Sequence, residues 1–176
     1  MTQRALFAGG CFWCTEAMFT RLNGVQSVTP AYAGGHTEHP TYEAVCTGTT
    51  GHAEVVDIQF DPEVISYRTL LKVFFNAHDP TTLNRQGNDI GTQYRSAIFT
   101  LDNEQAELAE QVKKEAQAEW SDPIVTEIEP AGTVYEAEDY HREYFAHNPG
   151  QPYCAAVIRP KVQAFSERFR EYLREP

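Results

Sequence analysis

The amino-acid sequence predicts an α+β fold, in which helices pack on a β-sheet. The chain has 176 residues, the size of one ordinary domain, and no repeat, low-complexity tract or long linker interrupts it. Its 41% hydrophobic and 22% charged residues are typical of a globular protein with a buried core. Segments with strand and helix patterns alternate along the chain, which favours a sheet covered by helices. We therefore expect residues 1–176 to form one domain.

The first predicted elements surround a cysteine. Residues 4–8 form a short apolar run that predicts a buried strand, which ends at Gly9-Gly10. Apolar residues then follow a helical period over 12–22, and Gly24 supplies a stop. Cys11 therefore lies in a tight glycine turn at the start of a helix.

The middle and end of the chain continue the alternation. A strand is predicted over 53–60, closed by Asp61-Pro62. Residues 66–78 have the pattern of an amphipathic helix, with Ser66 as its N-cap and Leu70, Val73 and Phe74 on one face. The remaining segments are a polar loop at 79–95, strands at 95–101 and 125–128, and helices at 103–120, 138–147 and 162–173.

The charge of the chain restricts its partners. The formal net charge is −11 and the pI is near 4.9, which disfavours nucleic acid because phosphates would be repelled. No apolar run is long enough to span a bilayer, so no membrane association is expected. Residues 1–10 lack a signal-peptide pattern, which favours the cytoplasm, where thiols stay reduced. The four cysteines are therefore interpreted as buried, metal-binding or redox-active residues rather than structural disulfides.

Cys11 is the candidate nucleophile. A thiol in the first turn of a helix meets unpaired N–H groups and the positive end of the helix dipole, which predicts a lowered pKa. The alternative is a small buried cysteine without chemistry. Phe12 and Trp13 follow it, and they are either core residues or an apolar cage for an S-methyl group.

A set of motifs makes the sequence recognisable. It contains Gly10-Cys11-Phe12-Trp13, Tyr32-Ala33-Gly34-Gly35, Thr50-Gly51-His52-Ala53-Glu54-Val55-Val56, Phe60-Asp61-Pro62, His78-Asp79-Pro80-Thr81-Thr82, Arg85-Gln86-Gly87-Asn88-Asp89-Ile90-Gly91-Thr92-Gln93-Tyr94-Arg95-Ser96 and Asp139-Tyr140-His141. In this order they resemble the A-type peptide methionine sulfoxide reductases and cover nearly the whole chain. The resemblance implies a two-layer ferredoxin-like sandwich with a mixed sheet. It also implies reduction of methionine S-sulfoxide, free or in proteins, without a bound cofactor and with recycling by thioredoxin. We expect a monomer.

The resemblance also assigns roles to residues. Glu54 matches the acid that protonates the sulfoxide oxygen, and burial on a strand would raise its pKa enough for this role. Tyr42 and Tyr94 match the two tyrosines whose hydroxyls bind that oxygen, while Phe12 and Trp13 remain the candidate substrate-binding aromatics. Asp89 matches a carboxylate that supports the site. By local pattern alone, Glu54 is an outward-facing strand residue, the tyrosines are packing residues and Asp89 is a turn residue.

The sulfenic acid left on Cys11 needs a second thiol to form a disulfide. Cys154 is the favoured resolving cysteine because it lies in a turn-rich C-terminal segment, and the resemblance agrees. Cys14 is the alternative, since Cys11 and Cys14 form a C-x-x-C motif at a helix start. Cys46 follows Ala44-Val45 in an apolar setting and is interpreted as structural, whereas His52 and Glu16 are interpreted as supporting residues.

Two other functions fit part of the sequence. Cys11 and Cys14 fit a thioredoxin-like disulfide oxidoreductase, but that function leaves Glu54, Tyr42 and Tyr94 without a role. A zinc module would use Cys11 and Cys14 with His36 and His39, but two compact ligand pairs are normal for such a site. We expect no metal.

Overall fold

A six-stranded sheet forms the centre of the computed structural model, which describes residues 2–174. The strands of the sheet are β1 (Gln3–Ala8), β2 (Val25–Ala33), β3 (Ala53–Phe60), β6 (Ala97–Thr100), β7 (Glu127–Pro130) and β8 (Tyr135–Glu136), and a separate hairpin pairs β4 (Arg85–Gln86) with β5 (Asp89–Ile90). The helices are α1 (Phe12–Phe19), α2 (Tyr42–Cys46), α3 (Tyr67–Ala77), α4 (Asn103–Ala116), α5 (Tyr144–His147) and α6 (Arg159–Arg168). The predicted combination of α and β elements is therefore confirmed.

The sheet has the order β7-β6-β1-β3-β2-β8. All neighbouring strands are antiparallel except β6 and β7, so the sheet is mixed. Tyr32 on β2 lies opposite Glu54 on β3, and Phe7 on β1 lies opposite Val56. This register brings Glu54 under the start of α1, which directly follows β1.

Both faces of the sheet are buried. On one face, Phe7 packs against α1 and α3, with its ring centroid 4.8 Å from that of Phe74 and 5.8 Å from that of Phe19. Side chains alternate along β3, so Glu54 shares this helix-covered face with Val56. The opposite face carries mostly small residues, packed against Ala131 and Val134: Leu6, Ala8, Ala31, Ala33, Ala53, Val55, Ala97 and Phe99.

A helix cap confirms one of the predicted helices. The Ser66 hydroxyl accepts a hydrogen bond from the Thr69 N–H at 3.0 Å and begins α3. The predicted apolar face of α3 is buried, including Leu70, Val73 and Phe74. None of the helices in residues 2–174 is long and apolar enough to cross a membrane.

Several predicted boundaries are wrong. The helix predicted over 12–22 ends at Phe19, the one predicted over 103–120 gives way to a 3₁₀ turn after Ala116, and the strand predicted over 125–128 is Glu127–Pro130. The sequence analysis also missed β2 and α2. Pro30 and the polar residues at 26, 27 and 29 interrupt the apolar alternation of β2, and α2 has only five residues.

The C-terminal third departs furthest from the prediction. The helix predicted over 138–147 is broken at Glu143, which has a left-handed backbone (φ 51°) and separates a 3₁₀ turn from α5. The helix predicted over 162–173 begins earlier, with a π-helical turn at Cys154–Ile158 that runs directly into α6. Pro160 lacks an N–H, and the wider turn before it accommodates that loss.

We predict that Gly35→Ala destabilises the loop that leads into Glu54. An added Cβ would lie 2.3 Å from the His52 nitrogen and 2.5 Å from the Thr50 carbonyl oxygen, both of which are backbone atoms. Such overpacking should lower the free energy of unfolding by about 2 kcal/mol or more, measured by urea denaturation. Gly132→Ala is the matched control, because nothing lies within 4 Å of its Cβ position. Equal midpoints for the two variants would contradict this account of the loop.

Candidate active site

Cys11 caps the N-terminus of α1. Its backbone is extended (φ −65°, ψ 128°), and Gly10 before it adopts φ +83°, which favours glycine. The Gly10 N–H donates to the Tyr94 carbonyl at 3.2 Å and so ties the turn to the polar loop. The prediction of a glycine turn at the start of a helix is confirmed. Cys11 is 6% exposed, so most of its surface is shielded from solvent.

Glu54 lies beneath this helix start and is 1% exposed. Its Oε1 accepts a hydrogen bond from the Phe12 N–H at 3.1 Å, while its Oε2 has no partner among the described residues. Burial, and to a smaller extent the charges of Asp89 and Cys14, raise the pKa of Glu54 to about 8 against the opposing effect of the Phe12 N–H. The carboxyl group is therefore protonated at neutral pH and is not an outward-facing strand residue.

The predicted lowering of the Cys11 pKa is wrong for the reduced protein. Burial raises the pKa of the Cys11 thiol well above its ordinary value, and a hydrogen bond with Cys14 raises it further. The Trp13 backbone N–H acts in the opposite direction but is outweighed. The same interaction with Cys11 lowers the pKa of Cys14, and the positive charge of Lys161 lowers it further. When this pair ionises, the proton is therefore retained on Cys11 and the negative charge is carried by Cys14.

Aromatic rings surround the start of α1. Trp13 stacks on Tyr144 with centroids 3.9 Å apart, and its Nε1–H donates to His141 Nδ1 at 2.9 Å. The His141 ring lies 5.0 Å from that of Phe12 and 4.5 Å from that of Tyr42, between centroids. Phe12 is fully buried, so it is part of the floor of the site, whereas Trp13 is half-buried. The sequence analysis gave no role to His141 or Tyr144, although the Asp139-Tyr140-His141 motif was a signal for the former.

Tyr42 and Tyr94 are half-buried near Cys11 and Glu54. Burial and the nearby charge of Glu54 raise the pKa of both hydroxyls, so each keeps its proton and can donate a hydrogen bond. The interpretation of Cys46 as a residue in an apolar setting is wrong. Cys46 is exposed at the end of α2, and its thiol interacts with the Tyr42 hydroxyl.

Asp89 is joined to the thiols through Tyr153. The Tyr153 hydroxyl donates to Asp89 Oδ2, and its interaction with the sulfur lowers the pKa of Cys14. The ring of Tyr153 also meets Trp13 edge-on, with centroids 6.1 Å apart. Tyr153 therefore connects the polar loop, α1 and the C-terminal segment, and the sequence analysis did not identify it.

Cys154 itself lies in a helical segment, although the sequence predicts a turn-rich one. It is fully buried in the π-helical turn before α6, where its N–H donates to Gln151 Oε1 at 2.9 Å. Burial raises its pKa, and the charge of Cys14 raises it further. Cys14 therefore lies between Cys11 and Cys154 in the network of interacting thiols.

Two buried polar residues hold the surrounding loops. Glu16 Oε1 accepts the Glu143 N–H at 2.8 Å, which fixes the strained backbone before Tyr144, and burial raises the pKa of Glu16 to about 7. His52 Nδ1 accepts the Gly35 N–H at 3.0 Å, so its Nε2–H donates to the Thr37 carbonyl at 2.7 Å. Both residues support the site from outside the thiol cluster.

The described part of the chain contains no group of three or more His, Cys, Asp or Glu side chains placed to hold a metal ion. Cys11 and Cys14 therefore do not form a metal site with His36 and His39 within residues 2–174. The arrangement instead combines a thiol pair, a protonated carboxyl group and two tyrosine hydroxyls under an aromatic wall.

Comparison with known proteins identifies the family. The family model described as peptide methionine sulfoxide reductase matches residues 3–173. The chain belongs to this family. The peptide methionine sulfoxide reductase MsrA of Polynucleobacter asymbioticus is 54% identical over 173 residues, which are 97% of this chain and 91% of that protein. The MsrA of Erwinia tasmaniensis is 57% identical over 172 residues, which are 97% of each chain. The chain is thus a methionine sulfoxide reductase of the A type, an oxidoreductase.

Solved structures of this reductase family have the same fold. Reduced Mxr1 from Saccharomyces cerevisiae is 39% identical with a TM-score of 0.82, over 85% of this chain and 87% of that one. The methionine sulfoxide reductase A of Corynebacterium diphtheriae is 40% identical with a TM-score of 0.77, over 84% of this chain and 76% of that one. Mxr1 in complex with Trx2 matches less closely, with a TM-score of 0.59 at 28% identity over 81% and 84% of the two chains.

We predict that the buried Glu54 makes the stability of this reductase depend on pH. Its pKa is about 8 in the folded protein and about 4.3 in an unfolded chain, so the folded state binds the extra proton between these values. The stability it contributes is complete below the unfolded pKa and is lost as the pH rises through about 8. Glu54→Gln has no carboxyl group at this position and does not lose this stability. Its free energy of unfolding relative to that of the wild type should therefore rise by on the order of 3 kcal/mol between about pH 5 and pH 8. Urea unfolding at both pH values measures this difference, and parallel changes in the two proteins would contradict it.

Proposed function

We propose that the chain reduces methionine S-sulfoxide, free or in proteins, with Cys11 as the nucleophile and Glu54 as the acid. The observation that carries this proposal is the protonated carboxyl group of Glu54 beneath Cys11, held by the Phe12 N–H at 3.1 Å. A sulfoxide oxygen leaves only after it is protonated, so an acid beside the attacking sulfur is the group that this reaction needs.

The first step transfers the oxygen from the substrate to Cys11. As the Cys11 sulfur attacks the sulfoxide sulfur, its proton passes to the Cys14 sulfur, which carries the negative charge when the pair ionises. The Glu54 proton goes to the oxygen, the original S–O bond breaks, and an S–O bond forms on Cys11. The sulfoxide sulfur is thereby reduced to the thioether of methionine, and Cys11 is oxidised to a sulfenic acid.

The substrate is held by the groups around these sulfurs. Tyr42 and Tyr94 donate hydrogen bonds to the sulfoxide oxygen, since both hydroxyls keep their protons. The half-buried Trp13 forms the apolar wall for the S-methyl group, above the buried Phe12. Asp89 acts through Tyr153 and thereby positions Cys14.

The reset begins at Cys14 and continues to Cys154. The Cys14 sulfur attacks the sulfenic sulfur, its proton leaves with the hydroxyl group as water, and a Cys11–Cys14 disulfide forms. Cys154 then attacks Cys14 and releases Cys11. This order reverses the preference for Cys154 as the first partner, and the hydrogen bond between Cys11 and Cys14 supports it. Thioredoxin reduces the final disulfide, a proposal supported by the complex of the related Mxr1 with Trx2.

The remaining expectations from the resemblance are proposals as well. We propose that residues 1–176 act as one cytoplasmic, monomeric domain without a bound cofactor. We further propose that its central part is the ferredoxin-like unit. The order β6-β1-β3-β2, with α1 between β1 and β2 and α3 between β3 and β6, supports this description.

Single-turnover assays without a reductant test the order of the thiols. We expect Cys11→Ser to form no methionine, and the wild type to lose two thiols for each methionine formed, because one disulfide results. Cys14→Ser should accumulate a sulfenic acid that dimedone traps, whereas Cys154→Ser should end with a Cys11–Cys14 disulfide, identified by peptide mapping. Sulfenic acid in Cys154→Ser but not in Cys14→Ser would show that Cys154 is the first partner. Methionine formation by Cys11→Ser would exclude the proposed nucleophile.

Replacement of the acid tests the role of Glu54. Glu54→Gln keeps an acceptor for the Phe12 N–H but has no proton to transfer, so we expect the single-turnover rate to fall by about 10²–10⁴. The rate of the wild type should also fall as the pH rises past about 8, since the carboxyl group then ionises. Glu129→Gln, on the exposed part of β7, is the control for a lost carboxylate and should have the wild-type rate. An unchanged rate in Glu54→Gln would refute this assignment.

A further inference from the structure

A cavity lies between α1, the end of α3 and α6. Its volume is about 280 Å³, which suits a small molecule rather than the surface of a folded protein. Its lining includes none of Cys11, Trp13, Tyr42 or Glu54, so it is separate from the proposed substrate site. The residues that matter here are Cys14, Met18, His78, Lys161, Phe165 and Arg168.

Cys14 is the one residue that belongs both to the thiol pair and to this cavity lining. It interacts with Cys11 on one side and is only 2% exposed overall. Because Cys11 is not in this lining, a molecule in the cavity meets a Cys11–Cys14 disulfide at the Cys14 sulfur. Thiol–disulfide exchange begins with such a contact, in which the attacking thiolate reaches one sulfur and the other sulfur leaves.

The cavity also carries positive charge in a protein with a net charge of −11. Lys161 and Arg168 lie two turns apart on α6, and neither forms an ion pair with a carboxylate within residues 2–174. Arg168 donates to Asn76 Oδ1 at 2.8 Å, and the field of Lys161 reaches Cys14. The ring of Phe165 and the side chain of Met18 supply apolar wall beside these cations.

His78 contributes no charge to the cavity. Burial lowers its pKa to about 4, so the ring is neutral at neutral pH. Its two nitrogens are already paired with the Phe74 carbonyl at 2.6 Å and the Ser96 hydroxyl at 2.7 Å. The charges available to a ligand are therefore those of Lys161 and Arg168, which suit carboxylates.

We propose that this cavity binds a small thiol that carries carboxylates and that this thiol reduces the Cys11–Cys14 disulfide by attack on Cys14. The inference rests on the proposed function, since it needs that disulfide. The thiolate of the ligand bonds to the Cys14 sulfur, the Cys11–Cys14 bond breaks, and Cys11 leaves with the electron pair. A second molecule of the thiol attacks the ligand sulfur of the mixed disulfide, which restores Cys14 and releases the disulfide of the ligand.

Adduct mapping tests the point of attack. The Cys154→Ser protein is oxidised by one turnover without a reductant, and the yields of methionine and of the Cys11–Cys14 disulfide are measured first. It is then treated with substoichiometric glutathione, a thiol with two carboxylates. We expect glutathione on Cys14 and a free thiol on Cys11. An adduct on Cys11 would overturn the inference alone, whereas failure to form methionine or the disulfide would overturn the proposed function and the inference with it.

A charge reversal tests the binding site itself. We expect the rate to saturate with glutathione as the reductant. The quantity compared is the ratio of the KM for glutathione to the KM for cysteamine, a thiol without a carboxylate. Arg168→Glu should raise this ratio by about tenfold. The comparison of two thiols in one variant removes any general effect on the reactivity of Cys14. Lys114→Glu on the exposed side of α4 makes the same charge change away from the cavity and should leave the ratio unchanged. Equal ratios in Arg168→Glu and the wild type, or no saturation, would overturn the inference.

Discussion

The contact between the Phe12 N–H and the Glu54 carboxyl group determines the arrangement of the rest of the site. It joins the first turn of α1 to the middle of the sheet and therefore fixes where Cys11 lies relative to an acid. The contact is possible because β3 pairs with β1, the strand from which α1 continues. Burial of Glu54 is unfavourable for its ionised form, and this cost is what keeps the acid protonated at neutral pH.

Burial also limits how many negative charges the site can hold at once. Glu54, Asp89 and the thiols each raise the pKa of at least one other member of the group, so ionisation at one position disfavours it at the next. Within the thiol pair, Lys161 and the Tyr153 hydroxyl favour the negative charge on Cys14. Cys11 retains its proton, and a protonated thiol reacts more slowly than a thiolate with oxidants.

The sequence predicted the local features of the site better than its long-range contacts. The glycine turn before Cys11 and the capped helix after Ser66 depend on neighbouring residues, and both are found. The pKa of Cys11 was predicted wrongly because the effect of the helix start is local, whereas the larger effect of burial comes from distant elements. The resemblance named Glu54, Tyr42 and Tyr94 as site residues, but residue patterns alone did not distinguish them from ordinary strand and packing residues.

The same distinction explains the errors at the C-terminus. The prolines at 149, 152 and 160 are a turn signal in any local analysis, yet the chain forms a π-helical turn and a helix there, and Cys154 is buried within them. In the proposed cycle, another thiol mediates the exchange between this cysteine and Cys11. Cys14 already interacts with both partners, which supports this route. The C-x-x-C motif, which first suggested a competitor for Cys154, is then the reason that a buried Cys154 can take part at all.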